Sequence, residues 1–174
     1  NVQYRKYSFN ADWFTPMFGS SRVVLYTSSM FGYLEGFDRN ANIPPIEYFY
    51  MGGTSPGIVS TTPLRGYEDR SVGPVDNLNR EMGGGVMVKH TAELRLAVAL
   101  NPIPIYVLGF AEGGNVFENF HNGDLFNLKR SYGFGARLLI QPIGLVGFDY
   151  GYGVDDVSPK DGFPDGWRFH FQFG

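Results

Sequence analysis

Hydrophobic and polar positions alternate with a period of two along most of this chain. In residues 2–14, Tyr7, Phe9, Ala11 and Trp13 fall on one face and Lys6, Ser8, Asn10 and Asp12 on the other. Successive side chains of a strand point to opposite faces, so this spacing predicts a strand with one aromatic and one charged surface, standing between lipid and water. Residues 86–100 repeat the pattern, with Leu94, Leu96, Val98 and Leu100 opposing Glu93, Arg95, Ala97 and Ala99. In residues 129–141, Tyr132, Phe134, Ala136, Leu138 and Ile140 face lipid while Ser131, Gly133, Gly135 and Arg137 face inward. In 144–154, Val146, Phe148, Tyr150 and Tyr152 oppose Gly147, Asp149, Gly151 and Gly153. In 166–174, Trp167, Phe169, Phe171 and Phe173 point outward, with Arg168, His170 and Gln172 inward. Two further strands, 22–35 and 105–117, alternate less cleanly. Val23, Leu25 and Phe31 are assigned to lipid in the first. In the second, Glu112 shares parity with Phe110 and Leu108, and Gly113-Gly114 permits a bulge that would reset the face.

Short turns and long loops separate these segments in strict alternation. The short ones are Thr15-Pro16-Met17-Phe18-Gly19, Asn101-Pro102-Ile103-Pro104 and Gln141-Pro142-Ile143-Gly144. Pro presets one dihedral and Gly tolerates the reversal in such turns. The longer loops are 37–83, the polar stretch through Asn119, His121, Asn122 and Gly123, and the Asp-, Pro- and Gly-rich stretch from Asp155 to Asp165. Outer-membrane barrels carry short periplasmic turns and long outer loops, which orients the strands. A further strand at Glu47 to Met51 would spoil the alternation if it spanned. The expected fold class is therefore all-β, a transmembrane antiparallel β-barrel of which residues 1–174 supply seven strands. Single-chain bacterial barrels have even strand numbers, so a strand is expected before Asn1 and the chain reads as the C-terminal portion of a larger barrel. Edge backbone groups without partners in lipid cost several kcal/mol each, which argues against seven strands standing alone.

Composition agrees with many short strands. Aromatic residues make up 17% of the chain and glycines number 24, which favours pleated, turn-rich structure. The longest apolar runs, such as Leu138-Leu139-Ile140, are too short for a membrane-spanning helix. With no Cys, neither a disulfide framework nor a Cys-based metal site is available. A net charge of −3 disfavours a general nucleic-acid binder.

The connection 37–83 is far longer than an ordinary loop and invites a functional reading. Arg65 near its middle could fold inward and meet Glu93 or Glu112, because a guanidinium fork binds carboxylates directionally. Gly66 would let the backbone approach the wall, and Tyr67 would bring apolar area with a polar tip. An exposed turn with Arg65 in water is the other reading the residues leave open, and Arg95 could compete for Glu93. His90, His121 and His170 lack ligand spacing, and Asp155, Asp156, Asp161 and Asp165 lack that of a calcium loop. Gly83-Gly84-Gly85 precedes a strand, not the helix a phosphate cradle needs. Glu93 and Glu112 could form a hydrolytic pair, but inward carboxylates beside an Arg are more often structural, so no enzyme, metal or cofactor is expected.

Several stretches together carry a resemblance. Tyr48-Phe49-Tyr50-Met51-Gly52-Gly53, Leu64-Arg65-Gly66-Tyr67, Ser71 to Pro74, Glu93-Leu94-Arg95, Phe110 to Asn115, and Gln141-Pro142-Ile143-Gly144 with Gly147-Phe148-Asp149-Tyr150 occur in order. In this the chain resembles the C-terminal part of the barrel of BamA-type outer-membrane assembly factors, a superfamily that also includes secretion translocators. The resemblance implies a barrel of about sixteen strands with an inward-folded loop. It makes Arg65 the loop arginine, Glu93 and Glu112 its wall carboxylates, and Gly52 and Gly53 a loop glycine motif. Trp167, Phe169, Phe171 and Phe173 resemble the C-terminal signal strand that forms one side of a lateral gate, here lacking its last few residues. The implied function is insertion and folding of β-barrel proteins in the bacterial outer membrane. The implied partners are the lipid bilayer, unfolded outer-membrane proteins, accessory lipoproteins and periplasmic chaperones, with no nucleic acid. A polypeptide-secretion translocator and a passive channel are the alternatives.

Overall fold

The computed structural model describes residues 3–37, 42–54, 61–78, 80–120, 124–142, 144–157 and 166–173. Its long strands are β1 (Tyr4–Met17), β2 (Ser20–Gly36), β5 (Val86–Ala99), β6 (Ile105–Phe117), β7 (Lys129–Ile140), β8 (Gly144–Gly153) and β9 (Trp167–Phe173). They form one antiparallel sheet in the order β1-β2-β5-β6-β7-β8-β9, and every neighbour in that order is the next long strand along the chain. Between β2 and β5 lie a short 3-10 turn, Pro45–Glu47, and two two-residue strands, β3 (Tyr50–Met51) and β4 (Thr61–Thr62), which pair in parallel. No strand in the described part of this connection is long enough to span a bilayer.

The register sets the two faces. Phe9 pairs with Phe31, Leu25 with Leu94, and Phe134 with Tyr150, so the apolar positions of successive strands line one surface. That surface stays exposed in the folded chain, with Phe9 at 63%, Phe134 at 57% and Phe169 at 65%. Exposed aromatic area on this scale needs an apolar medium, and here the medium is lipid. Trp167 stacks on Tyr150 at 4.9 Å and meets Tyr132, Phe134 and Tyr152 at 5.8 Å, which ties β7, β8 and β9 together on the lipid side. The other face holds the buried residues. Leu34, Met87 and Val116 of the wall pack with Phe49, Met51, Leu64, Tyr67 and Val72 of the loop and with Val157. The core of this chain thus lies between the inner wall and a loop folded onto it.

Two details correct the sequence reading. The first turn is not Thr15 to Gly19. β1 continues through Pro16 to Met17, with a register shift between them, and only Phe18 and Gly19 turn, at φ 56° and 64°. Positive φ at both central residues is what a two-residue hairpin needs to match strand twist. Pro16 is tolerated because it sits at that register shift, where the regular ladder is already interrupted. The second correction concerns Gly113-Gly114, where no bulge occurs: Glu112, Gly113 and Gly114 face Thr91, His90 and Lys89 in unbroken register. Gly114 instead leaves room for the loop, since a Cβ there would stand 2.7 Å from the Met51 sulfur. The inner face of β6 therefore carries Leu108, Phe110 and Glu112 together, all buried.

Candidate functional site

Two limbs of the long loop cross before they reach the wall. The Gly53 N–H donates to the Tyr67 carbonyl and the Leu64 N–H to the Gly53 carbonyl, at 3.1 and 3.0 Å, and the Val72 N–H donates to the Met51 carbonyl at 3.1 Å. At the crossing, Gly52 has φ +127°, and a Cβ would lie 2.1 Å from the Glu68 carbonyl oxygen. Only glycine fits so close an approach. The crossing presents Leu64-Arg65-Gly66-Tyr67 to the sheet, each of them buried.

Arg65 is 3% exposed and reaches three strands. Its Nη2 donates to Glu93 Oε1 on β5 at 2.6 Å and to Glu112 Oε1 on β6 at 2.8 Å. Nη1 lies 3.4 Å from Asp149 Oδ1 on β8, and the Arg65 backbone N–H donates to Glu112 Oε2 at 2.9 Å. The guanidinium stacks 3.7 Å above the Phe110 ring. Burial works against the charge, but the surrounding carboxylates, Glu112 foremost, outweigh it and raise the Arg65 pKa further above its ordinary value. Cation, ring and carboxylates together fix the position and orientation of the fork.

Gly66 and Tyr67 complete the seat. Gly66 has φ +87°, and a Cβ would stand 2.7 Å from the Gly153 nitrogen and the Tyr152 carbonyl carbon, so the loop backbone rests directly on β8. Its N–H donates to His170 Nε2 on β9 at 2.8 Å, which makes that nitrogen an acceptor. The Tyr67 hydroxyl donates to the Arg130 carbonyl at 2.5 Å and accepts from the Asp155 N–H at 3.2 Å. Burial pushes its phenol up to about 12, so it stays a donor at neutral pH.

Among the residues singled out from sequence, the structure brings Arg65, Gly66, Tyr67, Glu93 and Glu112 into one cluster, with Gly52 and Gly53 supporting it. Trp167, Phe169, Phe171 and Phe173 lie apart, on the lipid face of β9. His121, Asp161 and Asp165 lie outside the described residues. Arg95 does reach Glu93, through Nε at 2.8 Å, but on Oε2, leaving Oε1 to Arg65. Four contributors were not singled out: Phe110, Asp149, Arg137 and His170. All share the inward parity of their strands, the one signal that could have found them. Asp149 is 1% exposed and takes two hydrogen bonds from Arg137, at 2.9 and 2.8 Å. The described residues contain no group of His, Cys, Asp or Glu able to hold a metal ion.

An antiparallel sheet with an aromatic lipid face, an ionic inner face and a loop seated on that inner face defines the wall of a transmembrane β-barrel. The chain belongs to the Omp85 superfamily, whose domain model matches residues 1–174. Its fold is similar to that in the crystal structure of BamA from Haemophilus ducreyi lacking POTRA domains 1-3, with a TM-score of 0.68 and 21% identity. That match covers 98% of this chain and 34% of the BamA chain, so the chain spans about a third of that structure's length. No curated protein matches.

Proposed function

We propose that this chain is part of the central barrel of the machinery that inserts and folds β-barrel proteins in the bacterial outer membrane. The observation that carries the reading is the burial of Arg65 in carboxylates from β5, β6 and β8 while Gly66 bonds β9. A protein that must hold and present a strand edge needs such a loop, because strand addition proceeds by edge pairing and the presented strand has to be positioned. Nascent outer-membrane proteins are the substrates, the surrounding bilayer is the medium, and accessory lipoproteins and periplasmic chaperones are the partners. The process is non-enzymatic and is driven by substrate folding and lipid burial.

Depletion tests the reading. Loss of many barrel proteins from the outer membrane supports assembly. Loss of a single secreted polypeptide points to a translocator, and loss of one solute's uptake to a channel. Under the assembly reading, Arg65→Ala lowers outer-membrane protein levels and Arg65→Lys restores them in part, since an ammonium carries the charge without the fork. Full complementation by Arg65→Ala would count against it.

A further inference from the structure

The three carboxylates around Arg65 each possess a second cation that belongs to the wall. Glu93 has Arg95 at 2.7 Å, Glu112 has Lys89 at 3.2 Å, and Asp149 has Arg137 at 2.8 Å. Thr91 donates a further hydrogen bond to Glu112 at 3.1 Å. The wall therefore contains three acids and three bases paired one to one before the loop arrives, and Arg65 enters as a fourth cation. A buried ion pair is costly to break mainly because its partner is left charged and alone. Here no acid is left alone when Arg65 leaves.

β9 is tied to the loop along its inner face. Each of its inward side chains is tied to the loop or to the cluster beneath it. Arg168 pairs with Glu68 of the loop, His170 accepts from the Gly66 N–H, and Gln172 Oε1 lies 3.4 Å from Arg137 Nη2. The Thr54 hydroxyl also donates to the Phe171 carbonyl at 3.3 Å. We infer that the seat of Arg65 is a self-neutralising socket from which the loop can withdraw, and that its withdrawal releases β9. The loop is then a clamp on β9, and the one-to-one pairing of the wall makes its release reversible. The use of this clamp in strand addition rests on the assembly role proposed above.

Hydrogen–deuterium exchange on the full-length protein in detergent micelles tests the coupling without any substrate, so its failure and the failure of the assembly role are separate results. In Arg65→Ala, exchange should rise in 61–72 and also in 167–173, although among the described residues Arg65 makes its hydrogen bonds and ion pairs to β5, β6 and β8. The rise should be roughly tenfold or more, as for loss of a charged hydrogen bond. Residues 9–17 of β1 should not change. His170→Phe keeps a ring but removes the acceptor, and should deprotect β9 while leaving 86–99 protected. In the wild-type protein, 61–72 and 167–173 should share one opening rate. Unchanged protection of β9 in Arg65→Ala, or separate opening rates in the wild type, overturns the clamp. A collapse of protection that includes residues 9–17, or failure of Arg65→Ala to fold, overturns the self-neutralising socket.

Discussion

Arg65 and Arg80, both on the long loop, each bind carboxylate at short range but in opposite surroundings. Arg80 donates through Nε to Asp76 at 2.7 Å, a contact as short as those of Arg65, and Asp76 also accepts the Leu78 and Arg80 N–H groups. Yet the Arg80 side chain is 74% exposed and that of Arg65 only 4%. Exposed pairs trade hydration for a screened attraction and contribute little. The Arg65 site has shed its water, so its charges depend on one another, on Phe110 and on the three wall cations. Geometry alone would rank the two sites together; burial separates them.

Substitutions sharpen that difference, beginning with the largest effect. Glu112→Ala should lower stability by about 3–5 kcal/mol, because Arg65 and Lys89 both lose a buried partner. The shift of the urea-unfolding midpoint in detergent measures it. Arg65→Ala should cost less, about 2–3 kcal/mol, through lost charged hydrogen bonds, with the acids still paired to Arg95, Lys89 and Arg137. The order of these two variants is itself the test, and a reversed order breaks the account of the wall. Phe110→Leu keeps apolar volume but removes the ring face under the guanidinium, for about 1–2 kcal/mol at a desolvated site.

At the exposed Asp76–Arg80 pair, Arg80→Ala should leave the unfolding midpoint in place. Backbone and side-chain hydrogen bonds from Arg80 hold Asp76 below its ordinary pKa of 3.8. A carboxyl with a depressed folded-state pKa contributes above the unfolded value and loses that contribution as pH falls through the folded one. The Leu78 and Arg80 amide resonances should therefore titrate together with a midpoint below pH 3.8. Movement near neutral pH would contradict the geometry at Asp76.

Much of the wall was legible because a lipid-facing strand has to alternate. β5, β7, β8 and β9 each carry a run of apolar side chains at every second position, and the short turns mark strand ends. β6 was harder. Leu108 and Phe110 share a face with Glu112, a pattern that contradicts simple alternation between an apolar outside and a polar inside. The resolution lies in the loop, since Phe110 is the platform for Arg65, a contact between residues remote in sequence. Pro16 misled in a similar way: it reads as a turn residue, and it sits in β1 because turn chemistry at Phe18-Gly19 and the register shift beside it outrank it.

The sequence by itself determined which residues of the cleanly alternating strands face lipid, roughly where the chain reverses and which segment was long enough to return to the wall, because period, turn chemistry and length are local properties. Only the tertiary structure decided that Asp149, Phe110 and His170 meet the loop, and that each wall acid owns a cation. Those pairings depend on how strands far apart in sequence are aligned and on how much water the folded loop excludes. Neither quantity is written at any single position of the chain.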